Sequence, residues 1–158
     1  MKHLAIILFA FFITTTSAQE AAFKKFYKVN EDKSTFSINL STSMASTFLD
    51  NENDGDLMNI VRKSSNLKLM IFDNTGDVIS KDFKKFQRKN KLKTLARIKE
   101  NGSNAELFFI EKNNYIREII IRTNSDSDKM VLFGVKTKIT QDELAAMISS
   151  SDLKISSN

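Results

Sequence analysis

Residues 92–138 read LKTLARIKENGSNAELFFIEKNNYIREIIIRTNSDSDKMVLFGVKTK. Short apolar runs rich in Ile, Val, Leu and Phe recur along this stretch, the pattern of β-strands in a sheet. Asn101-Gly102 and Asn113-Asn114 break the runs. Both pairs tolerate positive φ at little cost, so both suit tight hairpins. Residues 124–129 contain no apolar side chain and read as a loop. The stretch therefore predicts four consecutive strands, at 92–99, 106–111, 115–123 and 130–138. Successive strands joined by short turns pair antiparallel.

Working outward, residues 78–90 space Ile79, Phe83 and Phe86 as one stripe of a helix. Residues 67–72 are apolar apart from Lys68 and read as a strand covered on both faces. Residues 34–40 alternate, with Phe36, Ile38 and Leu40 on one face of a strand. Ala22, Phe23, Phe26 and Tyr27 have helical spacing within 20–29. Two further short helices are expected between them. One spans 42–50 and carries Met44, Phe48 and Leu49; the other follows Asp54 or Gly55 and carries Leu57, Ile60 and Val61. At the other end, Thr140 and Glu143 frame a capping box that opens a final helix burying Leu144, Met147 and Ile148. The pattern predicts an α+β fold. Its core would be a five- or six-stranded, mainly antiparallel sheet, with the helices largely on one face. Residues 19–149 form one domain and 150–158 a polar tail.

The N-terminus reads as a cleavable export signal. Lys2 is followed by an apolar run over 4–13, and Thr16-Ser17-Ala18 supplies a small-x-small cleavage site before Gln19. The run is half the roughly 20 residues a spanning helix needs. With no cysteine to carry a lipid anchor, the expected product is periplasmic or secreted, is not a lipoprotein and does not span a membrane.

Cleavage would remove the only histidine, His3, from a chain without Cys, Trp or Pro. Residues 19–158 could then build neither a Ser-His-Asp nor a Cys-His nucleophilic site. Zinc and haem ligation by His or Cys is excluded as well. A general base would have to be a perturbed carboxylate or lysine. No cofactor is expected. The formal net charge of +5 falls by one with Lys2, and the charges are mixed along the chain, which favours solubility.

The segments as they stand, Phe23-Lys24-Lys25-Phe26-Tyr27, then Phe36 to Leu40 leading to Met44, then the apolar run 67–72, then Val131-Leu132-Phe133-Gly134-Val135 before Asp142-Glu143-Leu144, resemble an uncharacterised family known as domain of unknown function 4252. The resemblance covers about Phe23 to Met147. It implies a secreted or envelope protein of Gram-negative bacteria with an α+β fold, and it carries no catalytic residues. Many members look lipid-anchored; the missing cysteine departs from that version.

Four constellations stand out. Asp50, Glu52, Asp54 and Asp56, with Gly55 sixth, resemble a calcium loop, but the twelfth position is Val61 instead of a bidentate Glu. A helix-capping turn explains the same residues. Lys81, Lys84, Lys85, Arg88 and Lys89 form a basic helix face, suited to an anionic envelope surface or to plain solvation. Nucleic acid is a poor partner, given the compartment and the absence of stacking aromatics. Phe108, Ile120 and Leu132 are expected to share an open apolar sheet face, a surface for a partner or a homodimer. Two Ser-x-x-Lys spacings, Ser65 with Lys68 and Ser151 with Lys154, are what chance provides in a Ser- and Lys-rich chain.

The expected function is binding or interaction in the bacterial cell envelope without catalysis, the partner being an envelope protein or an anionic or apolar envelope component. The alternatives are an accessory regulator of envelope stress and a carboxylate-based hydrolase of envelope glycans.

Overall fold

The computed structural model describes residues 20–41, 43–44, 63–100, 103–124 and 128–150. The expected export signal, the calcium-loop candidate Asp50, Glu52, Asp54 and Asp56, most of the two helices expected between β1 and β2, Ser151 and the expected tail beyond it lie outside the described residues. The fold is α+β. Helix α1 (Ala22–Asn30) leads into strand β1 (Phe36–Ser41). Strand β2 (Ser64–Asp73) precedes helix α2 (Val78–Asn90). Four strands follow: β3 (Lys93–Glu100), β4 (Ser103–Lys112), β5 (Tyr115–Asn124) and β6 (Lys129–Ile139). Helix α3 is Gln141–Ser150. The six strands form one sheet in the order β1-β2-β6-β5-β4-β3, and every pairing is antiparallel.

Local chemistry sets the turns. Asn113 and Asn114 adopt φ of 55° and 62° between β4 and β5, the conformation that a two-residue hairpin requires. Helix α2 stops where Lys91 turns left-handed at φ 52°, and the Leu92 N–H closes on the Gln87 carbonyl at 3.0 Å. At α3 the capping box is reciprocal. The Glu143 N–H donates to Thr140 Oγ1 at 3.1 Å, and the Thr140 N–H donates to Glu143 Oε2 at 2.8 Å. Edge strand β3 carries Lys93, Arg97 and Lys99, charges that discourage pairing with another chain.

Helices α1 and α2 pack on one sheet face and α3 on the other, because the two faces bury different residues. Phe23, Phe26 and Tyr27 of α1 and Ile79, Phe83 and Phe86 of α2 meet Met70, Phe72, Phe108, Ile120, Met130 and Leu132 of the sheet. Ring centroids in this layer lie 5.0–6.3 Å apart, the spacing of favourable edge and tilted contacts. Phe23 meets Phe86, and Phe26 meets Phe83, so the two helices run antiparallel. Arg122 on β5 ties this layer to the sheet: its guanidinium lies 5.7 Å from the Phe83 ring centroid and donates to Ser80 Oγ at 3.1 Å.

On the opposite face, Leu144 of α3 packs with Leu67, Phe109, Ile116, Ile119, Val135 and Ile139. Here the expectation of an open apolar face needs correction. Phe108, Ile120 and Leu132 do share a face, but α1 and α2 cover it, and the three are 1%, 0% and 0% exposed. Among the residues of opposite parity, Ile38, Leu69, Ile71, Ile121 and Val131 are half-buried. No helix among the described residues is long and apolar enough to cross a membrane.

Candidate functional site

The sheet face under α1 contains two charged side chains where apolar ones would be expected. Lys68 (β2) and Glu118 (β5) are 5% and 6% exposed. Register brings them together. Asn39, Lys68, Gly134 and Ile120 are cross-strand partners in one row; Ser41, Asn66, Lys136 and Glu118 form the next. Side chains in adjacent rows of one face lie close enough to interact.

Glu118 caps α1. The helix has no side-chain cap of its own and no acidic residue in its first turn. Glu118 supplies both from a distant strand, accepting the Ala22 N–H at 2.7 Å and the Phe23 N–H at 2.8 Å. Burial pushes its carboxyl pKa up, opposed by those two backbone donors and by Lys136. Lys68 is held differently. Its ammonium donates to Asn39 Oδ1 at 2.6 Å and to Asn66 Oδ1 at 2.8 Å, and it lies 5.0 Å from the Tyr27 ring centroid. Burial, and then the neighbouring charge of Lys24, lower its pKa.

These rows border a cleft of about 470 Å³ between the start of α1 and strands β1, β2 and β6. Gly134, Lys24, Lys136 and Glu20 are among its lining residues. Glu20 is drawn down in pKa by hydrogen bonds from Lys28 and Lys24. Among the described residues, no group of three His, Cys, Asp or Glu is placed to hold a metal.

The basic face predicted on α2 is present and is wider than predicted. Lys81, Lys84, Lys85, Arg88 and Lys89 are all exposed. They lie opposite the stripe of Ile79, Phe83 and Phe86 that faces the sheet. Beside them, α1 exposes Lys24, Lys25 and Lys28. Glu20 pairs with Lys24 and Lys28, and Asp82 pairs with Lys33 and Lys85. Lys25, Lys81, Lys84, Arg88, Lys89 and Lys91 make no ion pair among the described residues. Val29 and Val78, 72% and 57% exposed, sit at one end of the antiparallel helix pair.

Sequence reasoning missed Lys68 and Glu118 as a site. The available signal was a charge interrupting each of two apolar strands, and the partnership between them depends on strand register. Of the two Ser-x-x-Lys spacings, Ser65 with Lys68 lies on β2, where Lys68 turns to Asn39 and Asn66.

No curated protein and no solved structure matches the chain. A family model described as a domain of unknown function, DUF4252, matches residues 20–147, from two residues before α1 through most of α3. The match takes in the whole sheet and the helix pair, and the chain belongs to the DUF4252 family.

Proposed function

We propose that this chain is an exported envelope domain that acts by binding, and that it lies against anionic phospholipid through the outer surface of α1 and α2. The observation that carries the reading is the helix pair. Its inner stripe is committed to the aromatic layer, and its outer stripe, with Lys91 just past the end of α2, presents six cations without an ion-pair partner among the described residues. Cations near an anionic leaflet contribute about 1 kcal/mol each. Val29 and Val78 add apolar contact at one end, as an interfacial surface needs. The export signal read in the sequence would deliver the domain to such a membrane. Co-sedimentation tests this. The protein should pellet with phosphatidylglycerol vesicles at low salt, be released at high salt and ignore phosphatidylcholine vesicles. Binding to an anionic polysaccharide with none to vesicles would sink it.

One observation favours a second reading, a carboxylate-based glycan hydrolase. Glu20 and Glu118 line the same cleft with pKa values displaced in opposite directions. Against it, both Glu118 oxygens accept α1 amides, and Glu20 is held by two lysines. Turnover of peptidoglycan fragments that disappears in Glu118→Gln and Glu20→Gln would establish it; absence of turnover ends it.

A further inference from the structure

The hydrogen bonds around Lys68 have a second consequence. Each amide has one accepting oxygen and one donating NH2 group. Asn39 and Asn66 both turn the oxygen to the same ammonium, at 2.6 and 2.8 Å. Their NH2 groups therefore point away from Lys68, and neither donates a hydrogen bond among the described residues. Both residues line the cleft, together with the exposed Ser65 at the β2 bulge and with Lys136, the cross-strand partner of Asn66. A buried lysine is thus used to aim two neutral amides, and it leaves two NH2 groups that meet no acceptor among the described residues.

We propose that this cleft is a binding site for a small oxyanion-bearing molecule, a carboxylate or a phosphate monoester, held by the Asn39 and Asn66 amides with Lys136 and Ser65. Lys68 is the positioning residue. The two carboxylates in the cleft, Glu20 and Glu118, are outnumbered there by the cations Lys24, Lys68 and Lys136. The volume, about 470 Å³, suits a ligand of metabolite size. The Phe23 ring over Gly134 gives the cleft an apolar end, so the ligand has a short apolar portion beside its anionic group. This site shares only Lys24 with the basic surface of the helices and does not depend on membrane contact.

The test follows the Asn39 and Asn66 side-chain amide signals by NMR as inorganic phosphate or acetate is added at constant ionic strength. Both signals should shift saturably with one midpoint. Lys136→Gln should weaken that midpoint about tenfold, the loss of one charged hydrogen bond. Lys68→Met should abolish the shifts. If that variant fails to fold, Asn39→Ala read at the Asn66 signal replaces it and should weaken binding by a similar factor. Lys99→Gln, on the exposed side of edge strand β3, should leave the midpoint unchanged. The proposal is overturned if the shifts do not saturate, or if they match those of the exposed Asn113 amide. It is also overturned if only anionic vesicles, and neither soluble anion, move the signals.

Discussion

Gly134 lies directly beneath the ring of Phe23, and a Cβ at position 134 would overlap ring atoms Cδ1, Cε1 and Cγ. The first turn of α1 therefore rests on the backbone of β6. Phe23 can reach its place in the aromatic layer because the strand offers no side chain there. Gly134→Ala should destabilise the protein by about 2 kcal/mol through overpacking. In a Phe23→Leu background the same change should cost less, with a coupling of about 1 kcal/mol. Denaturant unfolding of the four proteins measures this, and additive costs would show that the contact is not what limits position 134.

Glu118 should matter for the same helix by another route. Glu118→Ala leaves the Ala22 and Phe23 N–H groups without their acceptor, at a cost of about 2 kcal/mol. Hydrogen exchange at those two amides should speed up more than exchange within β5. Uniform acceleration across the sheet would mean that α1 and the sheet open only together.

The acid response of Glu118 has an unusual sign. Burial raises its folded pKa above the ordinary 4.5, so the folded chain binds this proton more tightly than the unfolded chain. Its contribution to stability is therefore most favourable below about 4.5 and declines as pH rises through the folded pKa. Glu118→Gln should remove that decline. A pH profile of the unfolding midpoint that is identical in the variant would refute it.

Glu143 should respond in the opposite sense. Lys63, with the Thr140 N–H, holds its pKa down at about 2 from the ordinary 4.5. Its stabilisation is complete above about 4.5 and is lost as pH falls toward 2. Glu143→Gln should flatten the acid limb of the stability profile. An unchanged acid limb would place the loss elsewhere.

How much of this was legible in the sequence depends on how far apart the partners lie in the chain. The hairpin at Asn113-Asn114, the box of Thr140 and Glu143 and the extent of α2 are set by neighbours a few residues apart, and all were readable. The parity of Phe108, Ile120 and Leu132 was also readable, since alternation fixes which residues share a face. Which face the helices cover was not, because both faces of β4, β5 and β6 are apolar. Gly134 carried the missing information. It lies in the row of Ile120 and Lys68, and a glycine inside an apolar strand marks close approach by another element. Lys68 and Glu118 looked like isolated charges. Their setting arises from the order β1-β2-β6-β5, which joins residues 39, 68, 134 and 118 across most of the chain. The width of the basic surface was hidden for the same reason, since α1 lies beside α2 only through packing of Phe23 and Phe26 on Phe83 and Phe86.

The most direct measurement of the proposed membrane contact is the dissociation constant for phosphatidylglycerol vesicles over a salt series, for the native protein and for a variant with Lys81, Lys84 and Arg88 changed to Gln. Three cations at about 1 kcal/mol each predict roughly 100-fold weaker binding in the variant and a shallower salt dependence. Equal affinity of the two proteins, or native binding that is indifferent to salt and to lipid charge, would contradict it.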